Sequence, residues 1–250
     1  MTLPPADAPS RLRAFVPRES IAERRLTLEG ADSKRLVARG ARPDDVIEAL
    51  DNTGWTAVVR LDSVTAARCS GTVLDRRRAG ERRTKVGLFH GLLAAPDMRR
   101  MVARATAAGV VGLHPVISEG CVLPGAGTAP EDAAWAELAR DAAEACGRGQ
   151  FPAVAPPALL DQALDQAIRG GSLCLIVDRE GAEPRDALAD RPFSIALFCP
   201  PADRFTARER DLAAARGARV VRATSARGAD PVATALDALQ AVYGELESGS

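Results

Sequence analysis

Beyond residue 85 the sequence alternates short apolar runs with amphipathic helical stretches, and that alternation admits few folds. VGLFHGLL (86–93), VVGLHPVI (110–117), SLCLIVD (172–178) and SIALFC (194–199) are runs of buried-strand type. Between the first two, DMRRMVARATAAG (97–109) puts Met98, Met101, Val102 and Ala105 on one helical face. Helical stretches are predicted over 131–145 and 159–168. Thr206 and Glu209 have capping-box spacing, and Gly217 is placed to end that helix. ARVV then reads as a short strand. Asp230 can cap a last helix with Pro231 at its first position, its stripe formed by Val232, Leu236, Leu239, Val242, Tyr243 and Leu246. The pattern predicts a largely parallel sheet covered by helices. Ligands of such sheets bind beyond the C-terminal ends of strands, which points to the loops after Cys199 and Val221.

The first part of the chain differs. After a Pro- and Ala-rich tail (1–12), residues 13–75 carry short β-type stretches separated by turn signals. RLTLEG alternates Leu26 and Leu28; VIEAL, the turn DNTG and WTAVVRL read as a strand pair; SGTVLD supplies a further strand. A small β-rich domain is expected, followed by an Arg-rich linker (76–85) and an α/β domain over 86–250.

Composition excludes several classes. At 46% hydrophobic and 26% charged residues with formal net charge +0, the chain carries no global signature of a nucleic-acid binder. Its basic charge is instead local, at Arg76, Arg77, Arg78, Arg82, Arg83 and Lys85, where phosphate contact and a solvated linker are both open readings. No apolar run is long enough to span a membrane, and the N-terminus lacks the apolar core of a secretory signal, so a cytoplasmic location is expected. The cysteines at 69, 121, 146, 174 and 199 have no CxxC spacing, and His90 and His114 are the only histidines; no metal site is expected. Dinucleotide and mononucleotide glycine loops and a nucleophile elbow are absent.

From about Arg13 to Leu246 the order of segments resembles the RsmE family of 16S rRNA uridine-N3 methyltransferases. Arg13 and Phe15 sit like the family's opening R-x-F. Pro43, Asp45, Val46 and Asp51 fall where it has P-G-D-x-V followed by D-G. Trp135 followed by EACGRGQFP is similar to its W…E-Q-x-G-R-x-x-V-P, retaining Glu144, Gly147, Arg148 and Pro152. Phe205, Thr206 and Glu209 resemble its F-S-x-x-E, and ATALDALQAVYGEL its last helix.

The resemblance implies a PUA-like β-barrel joined to a SPOUT-type knotted parallel sheet that binds S-adenosyl-L-methionine (SAM) and works as a homodimer on 16S rRNA or the small ribosomal subunit. It implies cofactor contacts at Leu197, Cys199, Pro201, Val221 and Arg227, and RNA contacts at Arg76, Arg77, Arg78 and Arg148; it singles out no catalytic residue. The cofactor loops nevertheless depart from the family pattern. G-P-E-G-G is replaced by Pro200-Pro201-Ala202-Asp203-Arg204, where proline removes backbone N–H donors. In the second loop, over 222–230, only Arg227 matches. A catalytically inactive relative that keeps the fold, the dimer and RNA contact is the alternative these losses imply.

Overall fold

The computed structural model describes residues 11–121, 132–222 and 230–248, with Asp132 and Ala133 described by backbone alone. The chain forms two compact units: one contains residues up to Glu81 together with 143–151, the other 82–142 and 152 onward.

In the first unit, β1 (Arg13–Phe15), β2 (Ile21–Ala22), β3 (Arg25–Glu29), α1 (Gly30–Ala38), β4 (Val46–Leu50), β5 (Trp55–Val64) and β6 (Arg68–Arg78) follow in order. The strands make one six-stranded sheet, β1-β4-β5-β6-β3-β2, antiparallel except where β1 joins β4. Alternation in RLTLE buries Leu26 and Leu28 against Ile47, Val59 and Leu61. The turn DNTG works as expected of its residues: Asp51 accepts hydrogen bonds from the N–H and hydroxyl of Thr53 and the N–H of Trp55, while Asn52 and Gly54 take positive φ. The segment expected to be a linker from residue 76 begins instead as strand. Arg76, Arg77 and Arg78 pair with Ala57, Thr56 and Trp55, because β5 is long enough to template them.

Residues 143–151 are held in this unit by a buried acid. Glu144 accepts a hydrogen bond from the Phe15 N–H at 2.8 Å and ion pairs from Arg39 and, at 3.4 Å, Arg35. Phe151 packs edge-on against Phe15 with centroids 4.7 Å apart.

The second unit runs β7 (Lys85–Gly91), α2 (Ala95–Ala108), β8 (Gly112–Ile117), α3 (Asp132–Cys146, which ends in the first unit), β9 (Ala153–Val154), β10 (Ala158–Leu159) and α4 (Leu160–Arg169). It continues with β11 (Leu173–Ala182), α5 (Pro184–Ala187), β12 (Ser194–Cys199), α6 (Ala207–Ala215), β13 (Arg219–Val221) and α7 (Pro231–Glu247). The sheet order is β10-β8-β7-β12-β11-β13, with β9 also on β8, and every pairing is parallel. Helices cover it, so its central strands carry unbroken apolar runs on both faces. Leu88, Leu175, Ile176 and Phe198 are fully buried. The predicted caps form: Thr206 and Glu209 close a capping box, Asp230 accepts from the Val232 N–H, and Gly217 has positive φ at its helix end; Gly109 does the same after α2.

His90 lies in this core, and His114 is half-buried beside it, stacked on Phe89. Burial holds the pKa of His90 and of His114 below the ordinary imidazole value. His90 Nδ1 lies 2.6 Å from the Gly91 carbonyl, which makes it the protonated nitrogen of a neutral ring. As pH falls, the unfolded chain takes up these two protons before the folded one does. The stability is therefore whole above about pH 7 and declines as pH drops through about 6.5 toward the lower folded values. Denaturant midpoints at pH 7.5 and 5.5 should differ, and replacing both histidines by Gln should shrink that difference. An undiminished difference would assign it elsewhere.

Candidate active site

The C-terminal ends of β12, β11 and β13 lie side by side, and two of the loops that leave them are the predicted cofactor loops. Leu197 and Cys199 on β12 and Val221 on β13 are buried wall residues. Burial also pushes the Cys199 thiol far up, so it stays protonated and is no nucleophile.

After Cys199 the chain enters Pro200 and Pro201, both buried. Pro201 rests on Gly91 at the end of β7: a Cβ at residue 91 would stand 2.4 Å from the proline Cδ, so only glycine permits this approach. The next residues are tied to the end of β11 by ion pairs. Asp203 meets Arg179; Arg204 meets Glu180 at 3.0 Å and Asp178 at 3.8 Å; Arg210 meets Asp178 at 2.9 Å. Asp178 is buried, and its other oxygen caps the turn by accepting from the Glu180 N–H. Neither Asp178 nor these pairings was singled out in the sequence, where carboxylates are plentiful and their partners lie 24–32 residues away.

A second close approach shapes the exit of β13. Val177 and Ala182 both pair with Val221, so β11 bulges there and Gly181 lies under the Val221–Arg222 peptide. A Cβ at 181 would be 2.4 Å from the Val221 carbonyl carbon. The Arg222 N–H donates to the Ala182 carbonyl at 2.8 Å. Arg227, the remaining predicted cofactor residue, lies outside the described residues. Where description resumes, Asp230 pairs with Arg100 at 2.9 Å.

Glu209 joins two loops at this end of the sheet. One of its oxygens accepts from the Thr206 N–H, and the other accepts from the Glu119 N–H beyond β8 at 2.7 Å. Beside it an open cleft of about 650 Å³ is lined by Ser118, Glu119, Leu160, Arg208 and Arg216 among others. Among the described residues no cluster of His, Cys, Asp and Glu could hold a metal ion, and no helix is long and apolar enough to cross a membrane.

The predicted RNA residues lie in the first unit and are largely engaged. Arg76 pairs with Asp51 at 3.3 Å and lies over the Trp55 ring; Arg77 pairs with Glu48; Arg78 lies over the same ring at 5.3 Å. Arg148 is paired with an acid of the same unit. Its side chain is only 10% exposed and pairs with Glu81 at 2.9 Å, while the Glu81 carboxylate also accepts from the Gly149 N–H.

A family model described as RNA methyltransferase domain matches residues 80–225, which span every strand of the parallel sheet. The chain belongs to the RNA methyltransferase domain family. Among solved structures, ribosomal RNA small subunit methyltransferase E of Neisseria gonorrhoeae, bound to S-adenosyl methionine, is 24% identical with a TM-score of 0.76, over 92% of this chain and 97% of that one. A Legionella pneumophila protein, Lpg2936, solved with the bound cofactor SAM, is 19% identical with a TM-score of 0.79, over 94% and 97%. At these identities the likeness is one of fold, and it takes in both units. No curated protein matches the sequence. For this family member, residues 200–204 lie inside the matched stretch.

Proposed function

We propose that this chain is a SAM-dependent RNA methyltransferase of RsmE type, acting on N3 of a uridine in 16S rRNA as a cytoplasmic homodimer. The observation that carries the reading is the family match across the whole parallel sheet. The order β8-β7-β12-β11-β13, in which β12 runs between two strands already laid down, supports a SPOUT-type knot. The six-stranded sheet of the first unit supports a PUA-like barrel.

The residues present suit the cofactor in part. Leu197, Cys199 and Val221 offer apolar wall, and Ala202, Asp203 and Arg204 keep backbone N–H groups that Pro200 and Pro201 lack. Asp178, Glu180 and Asp203 at the same strand ends are matched one for one by Arg179, Arg204 and Arg210, so the strand ends carry no net charge. Arg227 would complete the second wall. When bound, SAM supplies an electrophilic methyl group; this chain's own contribution is to position the base and exclude water, so most of the acceleration would come from proximity. A second reading, an inactive relative that keeps the fold, is favoured by the seating of Pro201 over Gly91 and by the ion pairs that fasten the loop to β11.

Calorimetry with SAM and S-adenosylhomocysteine separates the two. Heat of binding is expected, weakened by Arg227→Ala. Neither heat nor thermal shift at millimolar cofactor would leave only the inactive reading.

A further inference from the structure

The opposite pole of the parallel sheet carries a pocket that the cofactor site does not use. It opens where β7 and β12 begin, since Lys85 and Ser194 are register partners there. The pocket encloses about 220 Å³ and is lined chiefly by Arg82, Arg83, Thr84, Arg191, Tyr243 and Glu247. Tyr243 forms its base: the Arg82 guanidinium lies 4.1 Å above the tyrosine ring and pairs with Glu247. Arg83 and Arg191 have no ion pair among the described residues, and the one carboxylate in the lining, Glu247, is taken up by Arg82, so the pocket keeps an excess of positive charge.

Arg191 is held there at a backbone cost. Its φ is +47°, a left-handed conformation that disfavours any side chain by about 1 kcal/mol relative to glycine. The surrounding backbone fixes it. The Arg191 N–H donates to the Leu188 carbonyl, the Thr84 hydroxyl donates to the Pro192 carbonyl at 3.1 Å, and the Lys85 N–H donates to the Phe193 carbonyl at 2.8 Å. Two residues after Arg191, Phe193 is 65% exposed, more than any other large hydrophobic residue described. Unpaired arginines with a neighbouring exposed aromatic ring are what single-stranded nucleic acid needs: forks for phosphate and a face for a base.

We infer that this pocket binds a phosphodiester of single-stranded RNA through Arg83 and Arg191, with Phe193 stacking on an adjacent base. It is thus a second RNA contact, at the pole remote from the cofactor loops. The inference rests on the RNA methyltransferase reading for the identity of the polyanion.

The test is fluorescence anisotropy of an end-labelled, twelve-nucleotide single-stranded RNA across a series of NaCl concentrations, using the full chain. Arg83→Ala and Arg191→Gly should each weaken binding several-fold and lower the slope of log K against log salt by about 0.7, the share of one phosphate contact on a single strand. Arg191→Gly is also expected to raise the melting temperature by relieving the positive φ, so lost affinity in that variant cannot be lost folding. Phe193→Ser should weaken binding and leave the slope unchanged, because stacking releases no counterion. Wild-type affinity and slope in both arginine variants would overturn the proposal. So would a pocket that takes inorganic phosphate, by thermal shift, while its variants still bind RNA as the wild type does. SAM calorimetry on the same variants keeps the readings apart. Absent cofactor heat with altered RNA slopes would remove the methyltransferase and leave the pocket; normal heat with unaltered slopes would do the reverse.

Discussion

Replacing Glu144 by Ala is expected to lower the unfolding free energy by about 3–5 kcal/mol, the range for removing one partner of a buried charge cluster. The Glu144 side chain is wholly enclosed, whereas its partners Arg39 and Arg35 are 34% and 23% exposed. Deleting the carboxylate strands two half-buried guanidinium groups and removes the acceptor of the buried Phe15 N–H. Glu144→Gln keeps an oxygen for the Phe15 N–H and loses only the charge, so it should fall between the two. Urea midpoints of the three proteins measure this. A loss below about 1 kcal/mol for the alanine variant would mean that the network carries little of the stability.

Gly181→Ala should be the most damaging single methyl in the second unit, at about 3 kcal/mol. The added Cβ meets backbone rather than a side chain that can rotate away: the Val221 carbonyl carbon at 2.4 Å, its oxygen at 2.7 Å and the Arg222 nitrogen at 2.8 Å. Relief requires β13 to move off β11, which costs overpacking strain of about 1–3 kcal/mol and the bond from Arg222 to Ala182. The shift falls where the second predicted cofactor loop leaves the sheet, so SAM affinity should drop along with stability. Gly80→Ala, with nothing within 4 Å, is the control and should stay within about 0.5 kcal/mol of wild type. Equal melting temperatures for the two variants would mean that the strand ends adjust freely.

These expectations separate what local sequence could carry from what it could not. Strands of the parallel sheet were legible because both of their faces are buried, which leaves an unbroken apolar run such as SIALFC. Helix ends were legible where one side chain caps its own backbone, as at Thr206 and Asp230. Helix α1 was not legible: it buries only Ser33 and Leu36, and what holds it is tertiary, with the Ser33 hydroxyl donating to the Thr65 carbonyl at 2.8 Å. The parallel pairing of β1 with β4 is equally non-local. The two-residue strands β9 and β10 flank prolines that read only as loop.

Around the candidate site, the strand ends were readable and the ion pairs beside them were not. The ends of β12 and β13 follow from the strand pattern, whereas the clasp of Asp178 by Arg204 and Arg210 depends on folding that brings distant residues together. The same limit explains Arg148. An arginine after a helix reads equally well as a phosphate grip or an internal tie, and its partner Glu81 lies 67 residues earlier.

The stretch 143–151 belongs to the first unit although more than sixty residues of the second precede it. A nascent chain that has emerged as far as Glu81 therefore lacks Glu144, the acid that neutralises Arg35 and Arg39, and the Phe151 ring that covers Phe15. During synthesis, the amino-terminal unit must wait for part of its successor before it can close its own core, and cutting the gene between the two would leave that unit unfinished.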